Sequence, residues 1–186
     1  IPTRKKTLSI QWNHQFTLPN NGISELLEPN YFLDYQGVRF IALNSNVMID
    51  EQMEWLETIL KNNPHKWTIA FFHHPLYSAT TKRDYPERRK RWKPLFDKYG
   101  VDLALQGHDH TYARGSESLY EKNLLTGTNI KDATGTVYVV SVSGPKQYDI
   151  KPSWDQYEAT RHKAGANKQL FQVISIDGNK LSYSCL

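Results

Sequence analysis

Two groups of histidines follow apolar segments of the chain and are its clearest candidates for chemistry. His73 and His74 come directly after the run WTIAFF, and His108 and His110 come directly after the run VDLALQ. Residues i and i+2 of an extended segment point to the same side, so His108 and His110 can project together. Neutral imidazole is the commonest nitrogen ligand of divalent transition metals. The two histidine loops therefore predict a metal site.

The alternative interpretation is that these histidines bind no metal. A single histidine is usually structural, and a His-x-His triplet arises easily by chance. Two such loops that each follow a buried strand favour the metal site, because loops at strand ends can aim ligands at one shared point. His65 and His162 lie in polar segments without a second candidate ligand nearby, and we expect neither to bind metal.

The elements that must position the histidines are strands. Seven apolar or alternating segments predict them: 31–35, 38–43, 67–72, 101–105, 137–142, 170–176 and 181–184. The first two segments flank Gln36-Gly37, and the last two flank Asp177-Gly178, so each pair predicts a hairpin.

Two helices are predicted between the strands. The first begins after Asp50, a good N-cap residue, and places Leu56, Ile59 and Leu60 on one face. The second begins at Pro86 and repeats its apolar residues at i, i+3, i+4 and i+7 from Trp92. Pro94 lies inside it and predicts a kink or a restart. Strands mixed with helices indicate the α/β class, as a layered α+β sandwich.

Composition excludes several classes of protein. Of the 186 residues 39% are apolar and 12% aromatic, enough for a real core, and no apolar run approaches the ~20 residues that cross a bilayer. Cys185 is the single cysteine, so no disulfide forms within the chain. We expect no membrane partner.

The positive charge is concentrated in residues 82–93, which hold seven basic and two acidic side chains within a chain of net charge +4. Such a segment can attract nucleic acid. It is more often a solvated helix face. Because no recognition motif accompanies the charge, we expect no nucleic-acid partner.

The histidine motifs resemble those of a known family. The run FFHHPLYS, followed 35 residues after His73 by GHDHTY, is similar to the last two motifs of calcineurin-like metallophosphoesterases, and most of all to purple-acid-phosphatase-like phosphohydrolases. The segments YFLDYQGVRFIALNSN and SGPKQY and the closing hairpin agree with this. The resemblance implies the C-terminal half of a four-layer metallophosphoesterase fold, with a mixed sheet, flanking helices and a C-terminal hairpin.

The resemblance also implies a reaction and a set of site residues. His73 and His108 would bind one metal ion, and His110 its neighbour. The two ions, divalent or trivalent Fe, Zn or Mn, would bind the phosphate ester and activate the attacking water. His74, Tyr77 and Tyr112 would lie on the rim of the pocket and contact the substrate, although a packing role fits them as well.

The family's three earlier motifs, Asp-x-His, Gly-Asp-x-x-(Asp or Tyr) and Gly-Asn-His, have no match in this sequence. Asp34 and Asp50 are the aspartates before His73, and neither has the required neighbours. Asn13-His14 is a weak remnant of the third motif, with Trp12 in place of glycine, and fits an ordinary loop better.

We therefore expect residues 1–186 to be a single metallophosphoesterase domain fragment that lacks the N-terminal motifs. Its partner would be the missing N-terminal half of the same domain. Alone it would hold one metal ion or none and be inactive. The alternative is that it is a non-catalytic binding or structural module with metal-free histidines. Many relatives are exported, so the resemblance implies a periplasmic or extracellular location.

Overall fold

The computed structural model describes residues 11–81, 83–117, 135–151 and 153–186. The strands in these ranges are β1 (Tyr31–Tyr35), β2 (Val38–Ala42), β3 (Trp67–Phe72), β4 (Leu103–Gln106), β5 (Tyr112–Ser116), β6 (Val137–Val140), β7 (Thr160–Gly165), β8 (Gln172–Asp177) and β9 (Lys180–Cys185). The helices are α1 (Trp12–Gln15), α2 (Gln52–Lys61) and α3 (Pro86–Tyr99).

The first seven strands form one mixed sheet in the order β1-β2-β3-β4-β6-β5-β7. Strands β2, β3, β4 and β6 are parallel neighbours, while β1, β5 and β7 pair in the antiparallel direction. The predicted α/β class is confirmed. So are both predicted hairpins, β1-β2 and β8-β9.

The sequence patterns did not predict β5 and β7. Strand β5 has the sequence YARGS, with a register shift between Arg114 and Gly115 where it pairs with β7. The two backbones approach closely there, since a Cβ on Gly115 would stand 2.1 Å from the carbonyl oxygen of Thr160. A short strand with glycine and an irregular register lacks the alternation that identifies strands.

One face of the sheet packs on helices α2 and α3. The core between this face and the helices consists of large, fully buried side chains, including Leu56 from α2, Trp92 and Phe96 from α3, and Tyr138 from β6. The other face contacts the β8-β9 hairpin through residues such as Trp67. Successive residues of a strand point to opposite faces, so each central strand contributes to both cores.

The helix boundaries correct three expectations. Asp50 does not cap α2: the N-cap is Glu51, without a side-chain bond, and the Asp50 carboxylate pairs with Arg91 of α3. Of the kink or restart expected at Pro94, the restart does not occur: α3 is one helix from Pro86 to Tyr99, and its apolar face is held in the core on both sides of the proline. Asn13-His14 belongs to α1 rather than to a loop.

The basic segment forms the beginning of α3, and its described cations make contacts within the fold. Arg88 and Arg89 donate to the backbone carbonyls of Ser45 and Leu76 at 2.7 Å, and Lys93 pairs with Glu117 at 2.8 Å. The expectation of a solvated helix face holds only in part, because Lys90 and Arg91 are exposed whereas Arg83, Arg88, Arg89 and Lys93 are partly buried. No helix in the described ranges is long and apolar enough to cross a bilayer.

Candidate metal centre

Parallel pairing of β3 and β4 brings the two histidine loops together. The last paired residues are Phe72 and Gln106, so both strands end at the same edge of the sheet. The Gly107 N–H then donates to the His73 carbonyl at 3.0 Å, which holds the beginnings of the two loops side by side. This is the arrangement that the sequence predicted.

Three imidazoles meet at this edge. The Nε2 atom of His73 lies 2.9 Å from Nδ1 of His108, and the His74 ring lies 4.5 Å from the His108 ring. One potential ligand atom from each of His73, His74 and His108 lies within 4.8 Å of the others. Among the described residues no carboxylate belongs to this group. The donor set fits one transition-metal ion such as zinc, which three histidines can bind.

His74 belongs to this group, whereas the sequence placed it on the rim as a substrate contact. Ser45, in the loop that follows β2, fixes its position. The His74 backbone N–H donates to the Ser45 hydroxyl at 3.0 Å, and the imidazole Nδ1 lies 3.0 Å from the same oxygen. Tyr85 covers the other side, with its ring 4.9 Å from the His74 ring.

His110 lies apart from the three-histidine group. Its Nδ1 atom lies 3.0 Å from the carbonyl oxygen of Lys146, and its ring lies 4.7 Å from the ring of Tyr148. A proton on Nδ1 would be donated to that carbonyl and would leave Nε2 as the ligand atom. The geometry of His110 therefore suits a ligand whose other nitrogen is already fixed.

The two tyrosines do not meet the expectation that they line the rim. Tyr77 is fully buried in the helix-side core, where its ring lies 4.6 Å from Tyr138 and its hydroxyl donates to Glu117 at 2.9 Å. Burial raises the pKa of the Tyr77 phenol. Tyr112 packs on the opposite face under the β8-β9 hairpin. Both side chains act in packing, because their backbone positions direct them into the two cores.

The surroundings keep the central imidazoles neutral. Partial burial lowers the pKa of His73 and of His108, and the nearby Arg83 guanidinium lowers both further. A lowered pKa favours the unprotonated ring, which is the form that binds metal. Both rings therefore favour the neutral form that a metal ligand needs.

Four residues that the sequence patterns do not mark surround the histidine group. Ser45, Arg83, Tyr85 and Tyr148 all contact the histidine loops. Tyr148 lies within the SGPKQY segment, whose resemblance to the family could have marked it as a site residue. The others lie in irregular segments, where neither periodicity nor spacing marks a residue as functional.

A mixed α/β sheet with imidazoles grouped at the ends of adjacent parallel strands defines an α/β protein with a candidate metal site. The family model of calcineurin-like phosphoesterases matches residues 3–112, more than half of the chain. The chain belongs to the calcineurin-like phosphoesterase family.

Known relatives agree with this assignment. The chain is 28% identical over 141 residues to purple acid phosphatase 15 of Arabidopsis thaliana, a match that covers 72% of the chain and 25% of the relative. It is 27% identical over 163 residues to acid phosphatase type 7 of Homo sapiens, covering 74% of the chain and 37% of the relative. The matched region thus spans about a quarter to a third of these curated relatives.

A solved structure shows the same fold. The purple acid phosphatase from yellow lupin (Lupinus luteus) seeds superposes with a TM-score of 0.60 at 23% identity, over 83% of this chain and 30% of that one. The expected purple-acid-phosphatase-like α/β fold is confirmed by this likeness.

Proposed function

We propose that the protein hydrolyses phosphate esters at a dimetal site to which this chain contributes its histidine loops. The observation that carries the proposal is the convergence of His73 and His108, 2.9 Å apart, in a chain of the calcineurin-like phosphoesterase family. Two acid phosphatases among the relatives support the substrate class.

The proposed ligands are His73 and His108 for one metal ion and His110 for its neighbour. His74 lies close enough to the first pair to act as an additional ligand or as a substrate contact. When bound, the two ions, Fe, Zn or Mn, supply charge for the phosphoryl oxygens and acidify the attacking water. The chain's own residues hold the imidazoles neutral and correctly oriented.

We further propose that the 186 residues alone hold an incomplete site. Three imidazoles without a carboxylate can bind one metal ion. The dimetal hydrolysis of this family needs a second metal ion and a ligand that bridges the two. A cavity of about 640 Å³ opens beside His73 and is lined mainly by apolar side chains such as Phe71 and Leu105. An apolar face of this kind suits the N-terminal half of the domain as the partner that supplies the remaining ligands.

The test measures metal content by ICP-MS and p-nitrophenyl phosphate turnover in the whole protein. His108→Ala and His110→Ala are each expected to remove one metal ion per protein and most of the turnover. The remaining cation cannot both activate water and neutralise the phosphoryl oxygens. The isolated 186-residue chain is expected to show no metal-dependent turnover, and measurable hydrolysis by it would overturn the proposed incompleteness.

The matched controls are His65→Ala and His162→Ala. His65 lies 3.2 Å from Asp34, and the His162 ring lies 3.2 Å from the Ser116 hydroxyl, so both contact residues outside the cluster. Both variants should keep wild-type metal content and turnover. Loss of metal in either control equal to that in His108→Ala would refute the assignment of the site to the strand-end loops.

One observation favours a second candidate function, a binding or structural module with metal-free histidines. His73 and His108 are within direct hydrogen-bond distance of each other, an arrangement that needs no ion. Absence of both metal and turnover in the whole protein would establish this alternative. A periplasmic or extracellular location stays a prediction from the family resemblance.

A further inference from the structure

Asp109 lies between the two predicted ligands His108 and His110, yet the proposed reaction gives it no role. Asp109 as a whole is 1% exposed, so it is surrounded by protein rather than solvent. Removing a carboxylate from water is costly unless hydrogen bonds and an opposite charge compensate it. The contacts that compensate Asp109 therefore indicate what it does.

One oxygen of Asp109 joins the two histidine loops. Its Oδ2 atom accepts hydrogen bonds from the Ser78 hydroxyl and from the Ala79 N–H, both at 2.8 Å. Ser78 and Ala79 belong to the loop that carries His73 and His74, whereas Asp109 belongs to the loop that carries His108. The carboxylate is thus a cross-link beyond the ends of β3 and β4.

The other oxygen faces Arg83. The Oδ1 atom makes no hydrogen bond within the described part of the chain and lies 3.9 Å from Nη1 of Arg83. The same Nη1 donates to the His108 carbonyl at 2.7 Å. The guanidinium also lies over the Tyr148 ring, 4.7 Å from its centre, beside His110. Arg83 therefore contacts the carboxylate and the backbone of a predicted ligand at once.

The backbone at His108 needs such support. Its φ angle is +69°, in the left-handed region that residues other than glycine rarely adopt. Strained conformations persist where surrounding contacts determine them. The Arg83 bond to the carbonyl and the buried side chain of the next residue hold this peptide on both sides. The conformation in turn directs the His108 ring toward His73.

We propose that Asp109 and Arg83 form a positioning pair that sets the His108 imidazole against His73 for metal binding. Asp109 fixes one histidine loop to the other, and Arg83 balances its charge while holding the His108 carbonyl. This inference rests on the proposed function, because it assumes that the cluster binds a metal ion. Residues that orient metal ligands typically change metal affinity 10- to 100-fold when removed.

The experiment titrates the metal-free whole protein with Co²⁺ and follows its visible absorption, which reports both affinity and ligand geometry. Asp109→Asn keeps the size of the side chain and removes its charge, and Arg83→Met keeps the length of the stem. Each variant is expected to lower Co²⁺ affinity about 10- to 100-fold and to alter the absorption band. Arg83→Lys, which restores a cation but cannot form the same contacts, should recover part of the loss.

Asp97→Asn and Arg91→Met are the matched controls, since both side chains lie in exposed ion pairs on α3. They should bind Co²⁺ as the wild type does. Circular dichroism of each metal-free variant checks folding, and Ser78→Ala replaces Asp109→Asn if the latter unfolds.

The outcomes separate the two proposals. A whole wild-type protein that binds Co²⁺ together with folded Asp109 and Arg83 variants of unchanged affinity and spectrum would overturn the positioning pair alone. A whole wild-type protein that binds no Co²⁺ would overturn the metal site and the pair with it. Reduced affinity with an altered band, confined to the Asp109, Ser78 and Arg83 variants, would support the pair.

Discussion

The two faces of the central sheet differ in how completely they are covered. On the face toward α2 and α3, large side chains such as Trp92, Phe96 and Tyr138 are 0–1% exposed. On the other face, among the residues that the structure describes, a two-stranded hairpin covers only part of the seven-stranded sheet, and Leu105 is only partly buried. We therefore expect the core between the sheet and the helices to contribute most of the stability of the fold. The less covered face leaves space open beside His73.

The histidine site lies where this difference matters. Its loops are fixed from the helix side, where Arg89 of α3 donates to the Leu76 carbonyl and Gln106 accepts from the Leu76 N–H at 2.6 Å. The apolar cavity reaches His73 from the less covered face. Functional loops are commonly positioned by a rigid scaffold and remain accessible from solvent. Here the helix-side core positions the histidine loops, and the less covered face leaves them accessible.

The largest effect is expected on the helix side, from Trp92→Ala. The indole is fully buried and its ring lies 5.0 Å from that of Phe72, so truncation leaves a large cavity. The free energy of unfolding should fall by about 3–5 kcal/mol. Urea unfolding followed by circular dichroism measures it.

The control for this prediction is Phe171→Ala, because Phe171 is 60% exposed. Its cost should stay below about 0.5 kcal/mol. Equal losses in the two variants would show that the helix-side core does not dominate stability.

An intermediate effect is expected on the hairpin side, from Ile176→Ala. Ile176 is partly buried and packs on the second core, so it contributes less than a fully buried isoleucine. We expect a loss of about 1–2 kcal/mol in urea unfolding. Val173→Ala, on the exposed face of the same strand, is the control and should change little. A loss for Ile176→Ala as large as for Trp92→Ala would contradict the proposed difference between the faces.

The smallest effect concerns an ion pair between the edge strand β1 and its neighbour β2, and it depends on pH. Arg39 donates to both carboxylate oxygens of Asp34, at 2.8 and 2.7 Å, and this hydrogen bonding holds the pKa of Asp34 below its usual value. The lowered pKa stabilises the fold above about pH 4, and the contribution disappears as pH falls through the lower folded value. Asp34→Asn should cost about 1 kcal/mol at pH 7.

The measurement is urea unfolding of wild type and Asp34→Asn at pH 7 and at decreasing pH. The two curves should converge at acid pH, because protonation removes the same charge that the substitution removes. Asp155→Asn is the control, since Asp155 accepts from the neighbouring Ser153 hydroxyl and interacts with Arg161 only beyond ion-pair distance. A difference between wild type and Asp34→Asn that persists at low pH would argue against the ion pair as its cause.

The sequence by itself determined the elements that carry the site. The apolar runs before His73 and before Gly107 predict the strands β3 and β4, because fully buried parallel strands are continuous in apolar residues. The turns at Gln36-Gly37 and Asp177-Gly178 predict the two hairpins from local backbone preferences. The motifs FFHHPLYS and GHDHTY indicate the family. These features depend on neighbours along the chain, and a sequence displays them directly.

Only the tertiary structure decided which side chains meet. His74 joins His73 and His108 while His110 turns toward Lys146, and Tyr77 lies in the core although its motif suggested the rim. Each outcome depends on strand register and on bonds between segments about 30 or more residues apart, such as those of Ser45 to His74 and of Asp109 to Ser78. Residue types and spacing do not encode the distance between two loops, which is set by the packing of the strands beneath them.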